Sequence, residues 1–154
     1  MAQRLLHLLK YEGRKEIAYQ LGLWYGEELA EQKLKDSIDL IVPVPLHSSR
    51  LRTRGYNQSD YFAQGLSEAL DIESSTKVLR RKKKTATQTQ MGKVERWENV
   101  DNIFEVTDTN LIKGKNILVV DDVVTTGATL NSCIQSLING GADKVAILTL
   151  ASAN

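Results

Sequence analysis

Residues 117–129 read ILVVDDVVTTGAT. An apolar run meets Asp121 and Asp122, passes through Val123 and Val124, and enters Thr125-Thr126-Gly127-Ala128-Thr129. Adjacent carboxylates are acceptors for hydroxyl groups, whereas a loop of threonines and glycine supplies donors. The helical pattern that follows places unpartnered N–H groups and the positive end of a helix dipole beside that loop, which favours an anion. Gly127 lets the backbone approach a ligand closely. Carboxylates repel a bare phosphate, so the two features make sense together when the phosphate is carried on a sugar. The carboxylates then hold the sugar's hydroxyls while the loop holds the phosphate. A plain strand, turn and capped helix would not require two aspartates and five loop-forming residues. Neither a G-x-x-x-x-G-K-[ST] phosphate loop nor a G-x-G-x-x-G dinucleotide fingerprint occurs.

Two basic stretches could meet further negative charge. Residues 46–56 hold Arg50, Arg52 and Arg54, and residues 80–99 read RRKKKTATQTQMGKVERWEN. The second stretch has no periodicity, and a connection of that length in a compact domain is usually functional or disordered. Its opening charge run reads first as a solvated face. Nucleic acid could bind there, but no aromatic interleaving supports it. His7 and His47 have neither metal-ligand nor catalytic spacing, and Cys133 falls on an apolar helix face as a small core residue.

The elements that must position these groups follow from periodicity. Leu5, Leu6, Leu8 and Leu9 mark a short helix, and Ile17, Leu21, Trp24, Tyr25 and Leu29 a second, with Trp24 and Tyr25 as core or lid residues. DLIVPV at 39–44 reads as a buried strand stopped by Pro43 and Pro45. A polar loop follows, then a helix marked by Tyr61, Phe62, Leu66, Ala69 and Leu70. Short strands are predicted at 77–79 and 103–106, with core strands at 117–120 and 145–150. Between the last two, Leu130, Cys133, Ile134, Leu137 and Ile138 share one helix face closed by Gly140-Gly141. Strands alternating with helices predict a parallel sheet covered on both faces. In such sheets ligands gather outside the carboxyl ends of the strands, where Asp121 and Asp122 fall.

Composition sets the outer bounds. At 154 residues the chain makes one domain with a real core. A net charge of +1 gives no global field for nucleic acid or membrane. One cysteine excludes an internal disulfide framework and a Cys-based zinc ribbon. No apolar run reaches membrane-spanning length and the N-terminus lacks a signal-peptide layout, so a cytoplasmic protein is the expectation.

Residues 117–129 resemble the phosphoribosyl pyrophosphate (PRPP) signature of type I phosphoribosyltransferases. LKYEGRKEIAYQLG at 9–22, VPVPLHSSRLRTRGYNQ at 42–58 and the series Gln88, Arg96, Asn99, Phe104 narrow the resemblance to the ComF/GntX-like branch, linked with competence and DNA utilisation. It covers nearly the whole chain. It departs in two places: nothing before Leu5 supplies the Cys-rich segment common in the branch, which points to a short-form or shortened chain. His47-Ser48-Ser49-Arg50 stands where a proline and a further basic residue are usual.

The resemblance implies an α/β fold, an open and mostly parallel sheet flanked by helices, with a helical hood at 1–35 on a PRPP-binding core at 36–154. It implies that Asp121 and Asp122 hold the ribose hydroxyls, and that Val123, Val124, Thr125, Thr126, Gly127, Ala128 and Thr129 complete the ribose and 5′-phosphate site. Pyrophosphate would fall to Leu46, His47, Ser48, Arg50, Arg54 and Arg96. Arg96, Asp121 and Asp122 are then the catalytic set, with Mg2+ as cofactor and the aspartates touching it only indirectly. The expected activity is transfer of ribose 5-phosphate to a small nitrogenous acceptor, the acceptor pocket being built by the hood. The alternative is a non-catalytic PRPP- or nucleotide-binding module acting through competence or DNA-processing partner proteins. A homodimer is compatible with either.

Overall fold

The computed structural model describes residues 15–82, 103–124 and 126–152. Helix α1 (Lys15–Glu31) leads through a 3-10 turn (Lys35–Ser37) into β1 (Leu40–Pro43), followed by α2 (Ser48–Arg54) and α3 (Gln58–Leu70). Strands β2 (Leu79–Arg81) and β3 (Phe104–Val106) precede a second 3-10 turn (Thr109–Leu111), β4 (Asn116–Val124), α4 (Ala128–Asn139) and β5 (Lys144–Ser152). The main sheet has the order β1-β4-β5 and is parallel throughout; β2 and β3 form a separate antiparallel pair.

The continuous apolar runs of β1 and β4 reflect burial on both faces. Leu40, Val42, Ile117 and Val119 pack with Leu130, Cys133 and Leu137 of α4 and with Phe104 of β3. The alternate residues Ile41, Leu118 and Val120 pack on the other side with Phe62, Leu66 and Leu70 of α3 and Ala18 of α1. On α4 the buried face is rotated from the expected one. Ser132 and Ser136 are buried, and Ile138 is exposed. Their hydroxyls account for this: Ser132 Oγ accepts from Ile103 N–H, and Ser136 Oγ donates to Phe104 C=O, tying α4 to β3.

Helices α1 and α3 cross at near-backbone contact. A Cβ on Gly65 would lie 2.2 Å from Tyr19 C=O, and one on Gly22 would lie 2.4 Å from Phe62 C=O. Only glycine permits this approach. Tyr25 sets its ring edge-on to Phe62 at 6.0 Å and belongs to this seam, whereas Trp24 is 64% exposed and is not a core residue.

Three other expectations are corrected. The strand expected at 77–79 lies at Leu79–Arg81, because β3 supplies partners there, Leu79 opposite Val106 and Arg81 opposite Phe104. Arg80 and Arg81 therefore sit on a strand: Arg80 Nε pairs with Glu105 Oε1 at 2.7 Å, and Arg81 lies over the Phe104 ring. The core strand expected to stop at Val120 continues to Val124, since the nine residues of β5 carry the ladder on, with Asp121 opposite Thr149 and Val123 opposite Ala151. β5 is an edge strand, and its Ile147 stays 43% exposed.

Candidate ligand site at the carboxyl end of the sheet

Strands β1 and β4 deliver their C-terminal ends side by side. Val44 N–H donates to Val120 C=O at 2.9 Å, so the chain leaving β1 starts one residue from Asp121. Asp121 and Asp122, although within β4, are only half-buried. Asp121 Oδ1 accepts from Ser59 Oγ at 3.0 Å and from Asp122 N–H at 2.9 Å, and Asp122 Oδ1 accepts from Val123 N–H at 2.8 Å. Each carboxylate is held by a backbone donor, and at Asp121 that bond favours the charged form.

Burial works against that charge. It pushes the Asp121 carboxyl up from 3.8 to about 6, and the neighbouring Asp122 charge pushes the same way. The folded state thus holds this proton more tightly than the unfolded chain. Its stabilising contribution is complete below about pH 4 and is lost as pH rises to about 6. Asp121→Asn should therefore raise the melting temperature at pH 7 and leave it nearly unchanged at pH 4. Thermal melts of both proteins across that range check the sign.

Beyond β4, Thr126 Oγ1 accepts from Ala128 N–H at 3.4 Å and turns the chain into α4. Gly127 is the N-cap residue at φ 75°, and among the described residues beyond its chain neighbours no atom lies within 4 Å of where its Cβ would be. A left-handed residue facing open space at a helix N-terminus leaves room for a ligand against the backbone. Thr129 is half-buried in the first turn of α4, and Thr125 lies outside the described residues. Cys133, on the inner face of α4, is fully buried; burial and then the Asp121 charge push its thiol up to about 12. It remains protonated and unreactive.

The segment expected as a basic loop at 46–56 folds instead into helix α2. His47 is its N-cap, with Nδ1 accepting from Ser49 N–H at 3.2 Å, and Gly55 closes it at φ 79°. Caps rather than an apolar face define this helix. Leu46 is half-buried, His47, Ser48, Arg50 and Arg52 are exposed, and Arg54 is half-buried with Nη1 3.4 Å from Gln58 Oε1. Gln88, Arg96 and Asn99 lie outside the described residues, and so does His7.

Sequence reasoning passed over the start of α3. Asn57 is the N-cap of α3 but makes no side-chain cap. Its Nδ2 donates to Val44 C=O at 3.0 Å and to Asp60 Oδ1 at 2.7 Å. Burial raises the Asp60 carboxyl, and the bond from Asn57 opposes the rise. The N-x-x-D spacing before an apolar helix is a capping signature and was the available signal; the reach to Val44 was not visible in it. A groove of about 590 Å³ lined by Leu29, Leu34, Ile38, Asn116, Lys144 and Leu148 lies at the other end of the strands, where β4 and β5 begin.

Paired acids followed by a glycine turn at a helix N-terminus lie at the carboxyl end of an open parallel sheet, the edge at which such α/β domains gather ligands. The phosphoribosyl transferase domain family matches residues 57–154, more than half of the chain, and the chain belongs to that family. It is 37% identical over 116 residues to competence protein F of Haemophilus influenzae, covering 75% of this chain and 51% of that protein. It is 35% identical over 149 residues to DNA utilization protein YhgH of Escherichia coli (strain K12), covering 95% of this chain and 65% of that protein. The chain thus spans between half and two thirds of these curated relatives. Its fold is similar to that of glutamine phosphoribosylpyrophosphate amidotransferase from B. subtilis, with a TM-score of 0.59 at 22% identity, covering 86% of this chain and 26% of that one. Among the described residues no helix is long and apolar enough to cross a membrane.

Proposed function

We propose that the chain binds PRPP and transfers its ribose 5-phosphate to a small nitrogenous acceptor, releasing pyrophosphate in a cytoplasmic setting. The observation that carries this reading is the placement of Asp121 and Asp122 immediately before the Gly127 turn at the start of α4. Asp121 and Asp122 accept the ribose hydroxyls, while Thr125 to Thr129 and the first N–H groups of α4 hold the 5′-phosphate. Val123 and Val124 carry the strand between them. Leu46, His47, Ser48, Arg50 and Arg54, with Arg96, form the pyrophosphate side, and residues 1–35 the acceptor side. The acceptor nitrogen forms its bond to the anomeric carbon with its own electron pair. The bond from that carbon to the pyrophosphate oxygen breaks, and its pair leaves with pyrophosphate. The acceptor proton passes to solvent.

Mg2+ suits this donor set. Among the described residues no three His, Cys, Asp or Glu side chains gather into a metal cluster. Mg2+ would be carried mainly by ligand phosphate oxygens and water, with Asp121 and Asp122 touching it only indirectly. When bound, it neutralises charge developing on the leaving pyrophosphate.

Pyrophosphate release from Mg2+–PRPP, screened against a panel of bases and amines, tests the reading. Release that depends on one acceptor class and is lost in Asp122→Asn supports it. The names of the relatives, which speak of competence and DNA utilisation, favour a second reading: a PRPP- or nucleotide-binding module that works through a partner protein. Tight PRPP binding without release against any acceptor would select that reading.

A further inference from the structure

Ser59 lies 62 positions from Asp121 in sequence and 3.0 Å from it in space. It is the second residue of α3 and only 2% exposed, so a bulky ligand cannot reach it. Its bond goes to Oδ1, the oxygen that already accepts Asp122 N–H. Both of these donors therefore fall on one oxygen, Oδ1. The carboxylate plane is thereby set.

The position of Ser59 is set in turn. Asn57 leaves the helix end uncapped and bonds Val44 C=O, while Val44 N–H bonds Val120 C=O, next to Asp121. The hydrogen bonds close a ring through the end of β1, the start of α3 and the end of β4. The ring brackets residues 46–56, because Val44 stands just before that segment and Asn57 just after it. An element that bonds its neighbour strand at the expense of its own cap is built to hold that strand end still.

We propose that Ser59 is a positioning residue that orients the Asp121 carboxylate so that Oδ2 faces the sugar hydroxyls of the ligand. The inference rests on the PRPP reading for the identity of that ligand. It does not rest on that reading for the orientation itself.

The test uses the whole chain and three variants, Ser59→Ala, Ser59→Thr and Asp121→Asn. Calorimetry with ribose 5-phosphate should show Ser59→Ala weakened by roughly 10–100-fold, the usual scale for a hydrogen bond to a charged group. Inorganic phosphate, which carries no sugar hydroxyls for Asp121, should bind Ser59→Ala as it binds the wild type. Ser59→Thr, which keeps the hydroxyl, should restore the sugar-phosphate affinity. Equal loss of both ligands in Ser59→Ala would mean a general structural role and overturn the proposal, as would unchanged affinity for ribose 5-phosphate. If the wild type itself ignores ribose 5-phosphate, the PRPP reading falls, and carbon NMR titration of the Asp121 carboxyl decides the orientation. Loss of the Ser59 bond should then move that titration to higher pH relative to wild type, with Asp121→Asn identifying the signal; no movement would overturn the proposal.

Discussion

Gly65→Ala should cost the domain about 3 kcal/mol, at the upper end of what overpacking a core does. The added methyl group would stand 2.2 Å from Tyr19 C=O and 2.8 Å from Leu23 N. Both obstacles are backbone atoms of α1, so no side-chain rotation relieves them. The helices must separate, and the residues along their seam, Ala18, Phe62 and Leu66, are all fully buried. For a chain of this length the cost corresponds to a fall of roughly 6–12 °C in melting temperature. Gly114→Ala serves as the control. It puts a side chain on a left-handed residue, at φ 68°, with no described atom beyond its chain neighbours within 4 Å, so the backbone penalty of about 1–2 kcal/mol applies without any overpacking. Melting of Gly65→Ala within a degree or two of wild type would mean that α1 does not sit on α3 in this way.

How much was legible in the sequence depended on how local each feature is. Residues 117–129 announce strand, acids, turn and helix because every part lies within one short segment, and each residue type has a local reason to be there. The parallel order of the core was legible from β1 and β4, whose apolar runs are continuous because alternate residues feed the two separate core clusters. The end of β4 was not legible, because Asp121 to Val124 are held in the strand by Thr149, Ala151 and Ser152 of β5. Helix α2 escaped notice since its seven residues bury nothing and are defined by His47 and Gly55 at the ends. The seam of Gly22, Gly26 and Gly65 was invisible for a further reason: a glycine in a helix pattern costs propensity, and its use appears only when the facing backbone is known.

Ser59 shows the same limit within the site. A serine in the first turn of a helix reads as local capping chemistry, and nothing nearby marks it as a partner of Asp121. The Asp121 carboxylate is nevertheless held from three sides: by Ser59, by the backbone of Asp122, and by the strand pairing that fixes its own backbone opposite Thr149. Half-buried beside a like charge, it is costly to keep ionised. Such a cost is typical of a group retained for what it binds rather than for what it stabilises.

That opposition makes the double substitution Asp121→Asn/Asp122→Asn the sharpest experiment on the site. Each carboxylate should accept a ribose hydroxyl, and a hydrogen bond to a charged group is worth about 1.5–3 kcal/mol. Loss of both should weaken PRPP by roughly 10²–10⁴-fold at pH 7.5, reading the two contributions as additive within their uncertainty. Inorganic phosphate, held by the turn at Gly127 and the start of α4, should lose no affinity, and with two repelling charges gone it should bind slightly better. Stability should move the other way from PRPP affinity. The neutral pair removes the burial and repulsion that raise the Asp121 carboxyl to about 6, so the variant should melt higher than wild type above that pH. A protein that melts higher, keeps phosphate and loses PRPP cannot be explained by damage to the fold. Calorimetry showing unchanged PRPP affinity in the double variant would sink the assignment of Asp121 and Asp122 to the ribose, and parallel loss of phosphate would move the phosphate site onto the carboxylates' own neighbourhood.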